Sequence, residues 1–245
     1  MTTAPRSVLV SVDFGEASAR AVALAGLIVE RCGAATLRLL HAEAIDAPAY
    51  FTAEQIEGLE RQRHALRDQA EQFLSRFGRQ HTRPPFSTVL SNRPPAESIL
   101  RESASADLVV MGTHGRHGPR LWWLGSVAER VLREIARPLL IVRGDTNQPV
   151  ASTFGRVVVH ASAPLTGEYA LAYARSLTSC FNGDVIDARY GLIEPALENA
   201  RATMLVVAAP QPRSSQWLSN YGEPLVRYCT IPILFVPEIK QGASS

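Results

Sequence analysis

The run Leu108-Val109-Val110-Met111-Gly112-Thr113-His114-Gly115, followed after nine residues by Gly125-Ser126, decides how this chain folds. Its first four residues are all apolar, as in a strand buried on both faces of a parallel sheet. A helical pattern of apolar residues then covers 125–135. A loop that leaves a strand and opens a helix presents backbone N–H groups with no partner, and the helix dipole adds about half a positive charge there. Glycines let such a backbone approach a ligand closely, and Ser126 adds a hydroxyl at the helix start. Together these features suit an anion, above all a phosphate. The plainer alternative is an ordinary strand-to-helix turn that contains glycines. Arg116 and Arg120 flank the loop with guanidinium groups suited to bidentate phosphate contacts, although solvated arginines are common in a chain whose only lysine is Lys240. His114 and His117 are spaced like a metal-binding pair but have no third ligand close in sequence, so no metal site is expected. Trp122-Trp123-Leu124 is suited to packing beneath the loop or to an exposed contact.

Around this run, strands and helices alternate. The order is strand 8–12, helix 17–32, strand 35–42, helix 53–80, strand 86–91, helix 95–104, strand 107–112, helix 125–135 and strand 138–143. The strands are continuous Val, Leu and Ile runs, so the class is α/β with a five-stranded, doubly wound parallel sheet covered on both faces. Helix 53–80 carries Ile56, Leu59, Leu66, Phe73, Leu74 and Phe77 as its inward stripe. The chain then repeats itself. Val157-Val158-Val159-His160-Ala161 is similar to Val8-Leu9-Val10-Ser11-Val12, and Ile231-Pro232-Ile233-Leu234-Phe235-Val236 to Arg137-Pro138-Leu139-Leu140-Ile141-Val142. Between helix 169–177 and strand 204–208 there is room only for strand 184–189 and helix 192–202, so one helix and one strand are missing. Two tandem domains are expected: 1–145, a linker at 146–154, and a truncated copy at 155–245.

Gly112-x2-Gly115-x9-Gly125-Ser126 resembles the ATP-binding signature of the universal stress protein family. The opening run to Asp13 with Ala17, Ser18 and Ala21, the segment Leu39-Leu40-His41-Ala42, and the segments Ala96-Glu97-Ser98-Ile99-Leu100 and Ala106 to Gly112 are also similar to that family. The likeness is good over 6–143 and weak over 155–237. The chain therefore resembles a tandem universal stress protein with a shortened, degenerate second domain. The resemblance implies the adenine nucleotide α-hydrolase-like fold and an ATP ligand, with or without Mg2+. It gives the phosphates to Gly112, Gly115, Gly125 and Ser126, with Val127 as a further N–H donor. It gives adenine to the main chain of Ala42 and the ribose hydroxyls to Asp13, which is also placed to cap helix 17–32. It identifies no catalytic residue.

Aligning the two copies puts Ser162 in place of Asp13, Ala209 and Pro212 in place of the glycines, and Ser219-Asn220 in place of Gly125-Ser126. Pro210 and Pro212 remove donors, so one nucleotide site, in the first half, is expected. Members of the family pair through their last strands. A tandem chain can do so internally, 139–142 against 233–236, which also protects an apolar edge. A homodimer through the face left by the missing unit is left open.

The 245 residues are 46% hydrophobic with a net charge of +2, too small to suggest a nucleic-acid or anionic-membrane surface. No apolar run nears the ~18 residues of a membrane span. Met1-Thr2-Thr3-Ala4-Pro5-Arg6 leads directly into the first strand, which is unlike a signal peptide. Cys32, Cys180 and Cys229 are odd in number and far apart, so free thiols and a cytoplasmic location are expected. The leading functional expectation is a nucleotide-dependent sensor or stress-response protein. The alternatives are a slow ATP hydrolase or nucleotidyl transferase, and a protein-interaction module without nucleotide. With no paired carboxylates near the loop, a binding protein is favoured over an enzyme.

Overall fold

The computed structural model describes residues 4–34, 36–43, 53–113, 125–144, 146–162 and 166–239, with backbone only at 53–65 and 239. The first series is β1 (Ser7–Ser11), α1 (Glu16–Cys32), β2 (Thr36–Ala42), α2 (Ala53–His81), β3 (Ser87–Ser91), α3 (Pro95–Ser103), β4 (Leu108–Thr113), α4 (Ser126–Glu134) and β5 (Leu139–Arg143). The second is β6 (Arg156–Ala161), α5 (Glu168–Ser179), β7 (Asp184–Asp187), α6 (Ile193–Ala200), β8 (Met204–Gln211), α7 (Ser215–Trp217), a π-helical turn at Leu218–Gly222, α8 (Glu223–Tyr228) and β9 (Ile233–Ile239).

The described strands form one sheet in the order β3-β2-β1-β4-β5-β9-β8-β6-β7. Each half is parallel within itself, and the second repeats the order of the first without its outermost strand. The halves join where β5 pairs antiparallel with β9, at Leu139 with Phe235, Leu140 with Leu234 and Ile141 with Ile233. Helices cover both faces, so consecutive residues of the inner strands are buried. Val8 and Val10 belong to the core on the face covered by α1, α2 and α5, while Leu9 between them belongs to the core on the face covered by α3, α4 and α8. β8 runs on to Gln211, so Ala209 and Pro210 stand in a strand paired with β9 and not in a loop.

The cysteines correct one expectation. Cys32, the last residue of α1, and Cys180, just past α5, are joined by a disulfide with 5.2 Å between their Cα atoms. Their sequence separation of 148 hides a proximity that only the docking of the two halves creates. Cys229 is free, and burial pushes its thiol pKa up.

Two buried arginines also cross the joint. Arg213, 5% exposed, donates through Nη1 to the carbonyls of Leu132 (3.0 Å) and Ile135 (2.5 Å) at the end of α4. Arg143, 6% exposed, donates to the carbonyl of Cys229 (3.2 Å) at the end of α8. Each half thus supplies a cation to the carbonyl end of the other half's last helix, where the dipole favours it. Burial lowers the Arg213 pKa to about 10, which leaves it charged at neutral pH. Arg213→Ala strands two buried acceptors. It is expected to destabilise the chain by about 2 kcal/mol, or roughly 4–8 °C in a thermal melt, with Arg213→Lys recovering part of the loss.

Candidate functional site

β1 and β4 are neighbours, yet the helices that follow them cover opposite faces of the sheet. At such a reversal the carboxyl ends of the strands open into a crevice, the usual ligand position in doubly wound folds. A cavity of about 660 Å³ lies here, within the range of small-molecule sites. Its walls come from the ends of β1, β2 and β4 and from the start of α4. They bring together Asp13, Ala42, Gly112, Gly125, Ser126 and Val127. Gly115 lies outside the described residues, as do His114, Arg116, His117, Arg120 and Trp122-Trp123-Leu124.

Asp13 leaves β1 and turns the chain into α1. Its Oδ1 accepts from the backbone N–H of Gly15 (3.0 Å) and from the Ser18 hydroxyl, and its own N–H donates to Ser18 Oγ (3.1 Å). The carboxylate is therefore oriented by the first turn of the helix it precedes. The turn requires Phe14 at φ 63°, a left-handed conformation costly for a residue with a Cβ. The ring contacts that hold it there are His41 at 4.5 Å, Phe73 at 4.7 Å and Phe77 at 5.5 Å. His41 is itself fixed, with Nδ1 2.8 Å from the Val12 carbonyl, and lines the cavity beside Ala42. Sequence reading gave no site role to Phe14, Ser18 or His41, although Ser18 and His41 stand in segments similar to the family, because their contacts follow from packing across three elements.

The two glycines in the described part of the motif do different work. A Cβ on Gly112 would lie 2.5 Å from the Ala17 carbonyl carbon and 2.6 Å from the Ser18 nitrogen. Gly144, next in chain after β5, leaves room for the same helix start, with the Ala17 nitrogen 2.9 Å from its Cβ position. These glycines seat the N-terminus of α1 against the sheet. By contrast, a Cβ on Gly125 meets no described atom within 4 Å. Gly125 is the N-cap of α4 and offers no side-chain cap. The first intrahelical bond is from the Glu129 N–H to the Gly125 carbonyl, so the N–H groups of Ser126, Val127 and Ala128 have no partner within the helix. All three residues line the cavity. This is a cradle for an anion at a helix start. Asp13 is the only carboxylate on the described cavity wall. Among the described residues no group of three or more His, Cys, Asp or Glu could hold a metal ion.

The equivalent place in the second half is filled by side chains. The Trp217 indole N–H donates to Ser162 Oγ (3.2 Å), at the position matching Asp13, and its ring meets Phe235 edge-on at 6.2 Å. Tyr221 stacks over His160 at 5.9 Å, and burial lowers the His160 pKa. Ser219 and Asn220 lie inside the π-helical turn and do not open a helix. At the start of α5, the N–H groups of Gly167 and Ala170 donate to the carboxylate of Glu238, which is 6% exposed. An internal anion occupies that helix end.

Residues 5–143 match the model of the family described as the universal stress protein family. A universal stress protein of Mycobacterium tuberculosis is 42% identical over 59 residues, 24% of this chain and 20% of the relative. One from Methanocaldococcus jannaschii is 47% identical over 51 residues, 20% of this chain and 30% of the relative. The chain thus spans about a fifth to a third of the length of these curated relatives. Among solved structures, a universal stress protein from Archaeoglobus fulgidus superposes over 97% of this chain and 98% of its own, with a TM-score of 0.66 at 16% identity. One described as a putative universal stress protein from Pseudomonas aeruginosa covers 96% and 94%, with a TM-score of 0.58 at 14% identity. At such identities the likeness speaks for the fold.

Proposed function

The chain belongs to the universal stress protein family, and on that premise we propose that it is a nucleotide-dependent sensor protein binding one adenine nucleotide, ATP, in its first half. The observation that carries the reading is the start of α4. Three N–H groups without helical partners, behind a glycine whose Cβ side is open, face a cavity at the sheet's switch point. The triphosphate would lie along Gly125, Ser126 and Val127, with Gly112 and Gly115 completing the loop. Adenine would meet the main chain of Ala42, and the ribose hydroxyls would donate to Asp13. Mg2+, if it accompanies the triphosphate, would be held largely by phosphate oxygens and water. The second half would bind no nucleotide, because Trp217 engages Ser162 at the position matching Asp13, and Ser219-Asn220 lie inside a π-helical turn that opens no helix there. A location in the cytoplasm is part of the same proposal; among the described residues no helix is long and apolar enough to cross a membrane.

Binding without turnover fits the one carboxylate on the described wall, since Asp13 Oδ1 is already engaged by Gly15 and Ser18. ATP at a hundredfold above its Kd is expected to raise the melting midpoint by roughly 5–10 °C. No ADP should accumulate over hours with magnesium present. An unchanged midpoint contradicts nucleotide binding, and steady ADP release contradicts the sensor reading in favour of a hydrolase.

A further inference from the structure

We propose that Cys32 and Cys180 form a reversible thiol–disulfide site that sets how firmly the two halves are joined. The proposal stands apart from the nucleotide reading, because the bond lies at the opposite end of α1 from Asp13 and the cavity. The remaining ties between the halves are uneven. The antiparallel pairing of β5 with β9 spans three residue pairs. Arg213 braces α4 and Arg143 reaches the end of α8, and both of those helices lie on one face of the sheet. On the other face, where α1 and α5 lie, the halves share an apolar core, Arg20 donates to the Gln148 carbonyl of the connecting segment, and the disulfide adds a covalent tie at a sequence separation of 148. Loops of that length gain most from closure in the chain-entropy view.

Both cysteines are only half-buried, so a small thiol can reach them. The thiolate of a low-molecular-weight thiol such as glutathione attacks one sulfur, forming a mixed disulfide and releasing the other cysteine as a thiolate. A second glutathione attacks the glutathione sulfur of that mixed disulfide. This yields glutathione disulfide and the second cysteine thiol, a transfer of two electrons in all. Glutathione disulfide drives the reverse course. On reduction the two sulfurs must separate to van der Waals contact, and the Ser176 carbonyl, 3.6 Å from the Cys180 sulfur in the bonded form, is an acceptor close to the new thiol.

The test equilibrates the full chain in mixtures of reduced and oxidised glutathione, quenches with acid, and labels thiols in denaturant for mass spectrometry. Melting is followed in parallel. In the oxidised mixtures the label should reach Cys229 alone, and in the reduced ones all three cysteines. The midpoint should fall by roughly 10 °C on reduction. Cys32→Ser should melt with the reduced wild type and ignore glutathione, whereas Cys229→Ser should keep the full response. Three labelled thiols in every mixture would overturn the site. A pair that opens and closes with no change in melting would overturn its role as a clamp.

Discussion

Gly112→Val is expected to lower the melting midpoint by roughly 6–12 °C, or to prevent folding altogether. The reason is steric. The Cβ position at Gly112 lies 2.5 Å from backbone at Ala17, and 2.6 Å from backbone at Ser18, so no side-chain rotation relieves the contact. Either α1 lifts from the sheet or β4 shifts, and overpacking of this kind costs about 3 kcal/mol or more when the obstacle is main chain. Lifting α1 would also disturb Asp13, because Ser18 holds its carboxylate. A thermal or urea melt of the variant decides the point. A midpoint within ~2 °C of wild type would show that the helix start has slack absent from this structure.

Gly125→Val is expected to have the opposite profile, with a preserved fold and lost binding. Its φ of −58° and ψ of 151° are open to any residue, and its Cβ side is clear of described atoms. The cost to the free protein is that of a poorer N-cap, about 1 kcal/mol. The added methyl groups would stand where phosphate oxygens have to approach Ser126 and Val127. ATP should therefore lose its stabilising effect on this variant, a fall in affinity of a hundredfold or more, while the midpoint without ATP moves by no more than ~4 °C. A normal ATP response would remove Gly125 from the site. Both changes replace glycine with valine in one motif, and they should separate because one glycine seats a helix and the other, in the proposed site, would leave a ligand room.

That distinction was invisible in the sequence, where Gly112 and Gly125 are two letters of one pattern. The α/β class and the mostly parallel sheet were legible, because strands buried on both faces must be apolar at every position. Val8-Leu9-Val10 and Leu108-Val109-Val110-Met111 say so directly. The missing outer strand of the second half showed in the shortness of the segment between α5 and β8. The motif residues Asp13, Ala42, Gly112, Gly125, Ser126 and Val127 line one cavity because each ends or follows a strand, or opens a helix, at the same sheet edge.

Contacts between distant segments left no periodic or compositional trace. The left-handed Phe14 depends on rings from β2 and α2. Arg213 reads as one more arginine until α4 is placed against it. Cysteine pairing depends on which helix ends meet, so spacing alone suggested free thiols where Cys32 and Cys180 are bonded. Trp217 closes the second site from a helix that the alignment with the first half does not supply.

The most direct test of the central claim is a calorimetric titration of the full chain with ATP. A single binding event per chain, abolished in Gly125→Val and intact in Trp217→Phe, is the expected result. The absence of binding heat with ATP in the millimolar range, or two equal sites per chain, would contradict it.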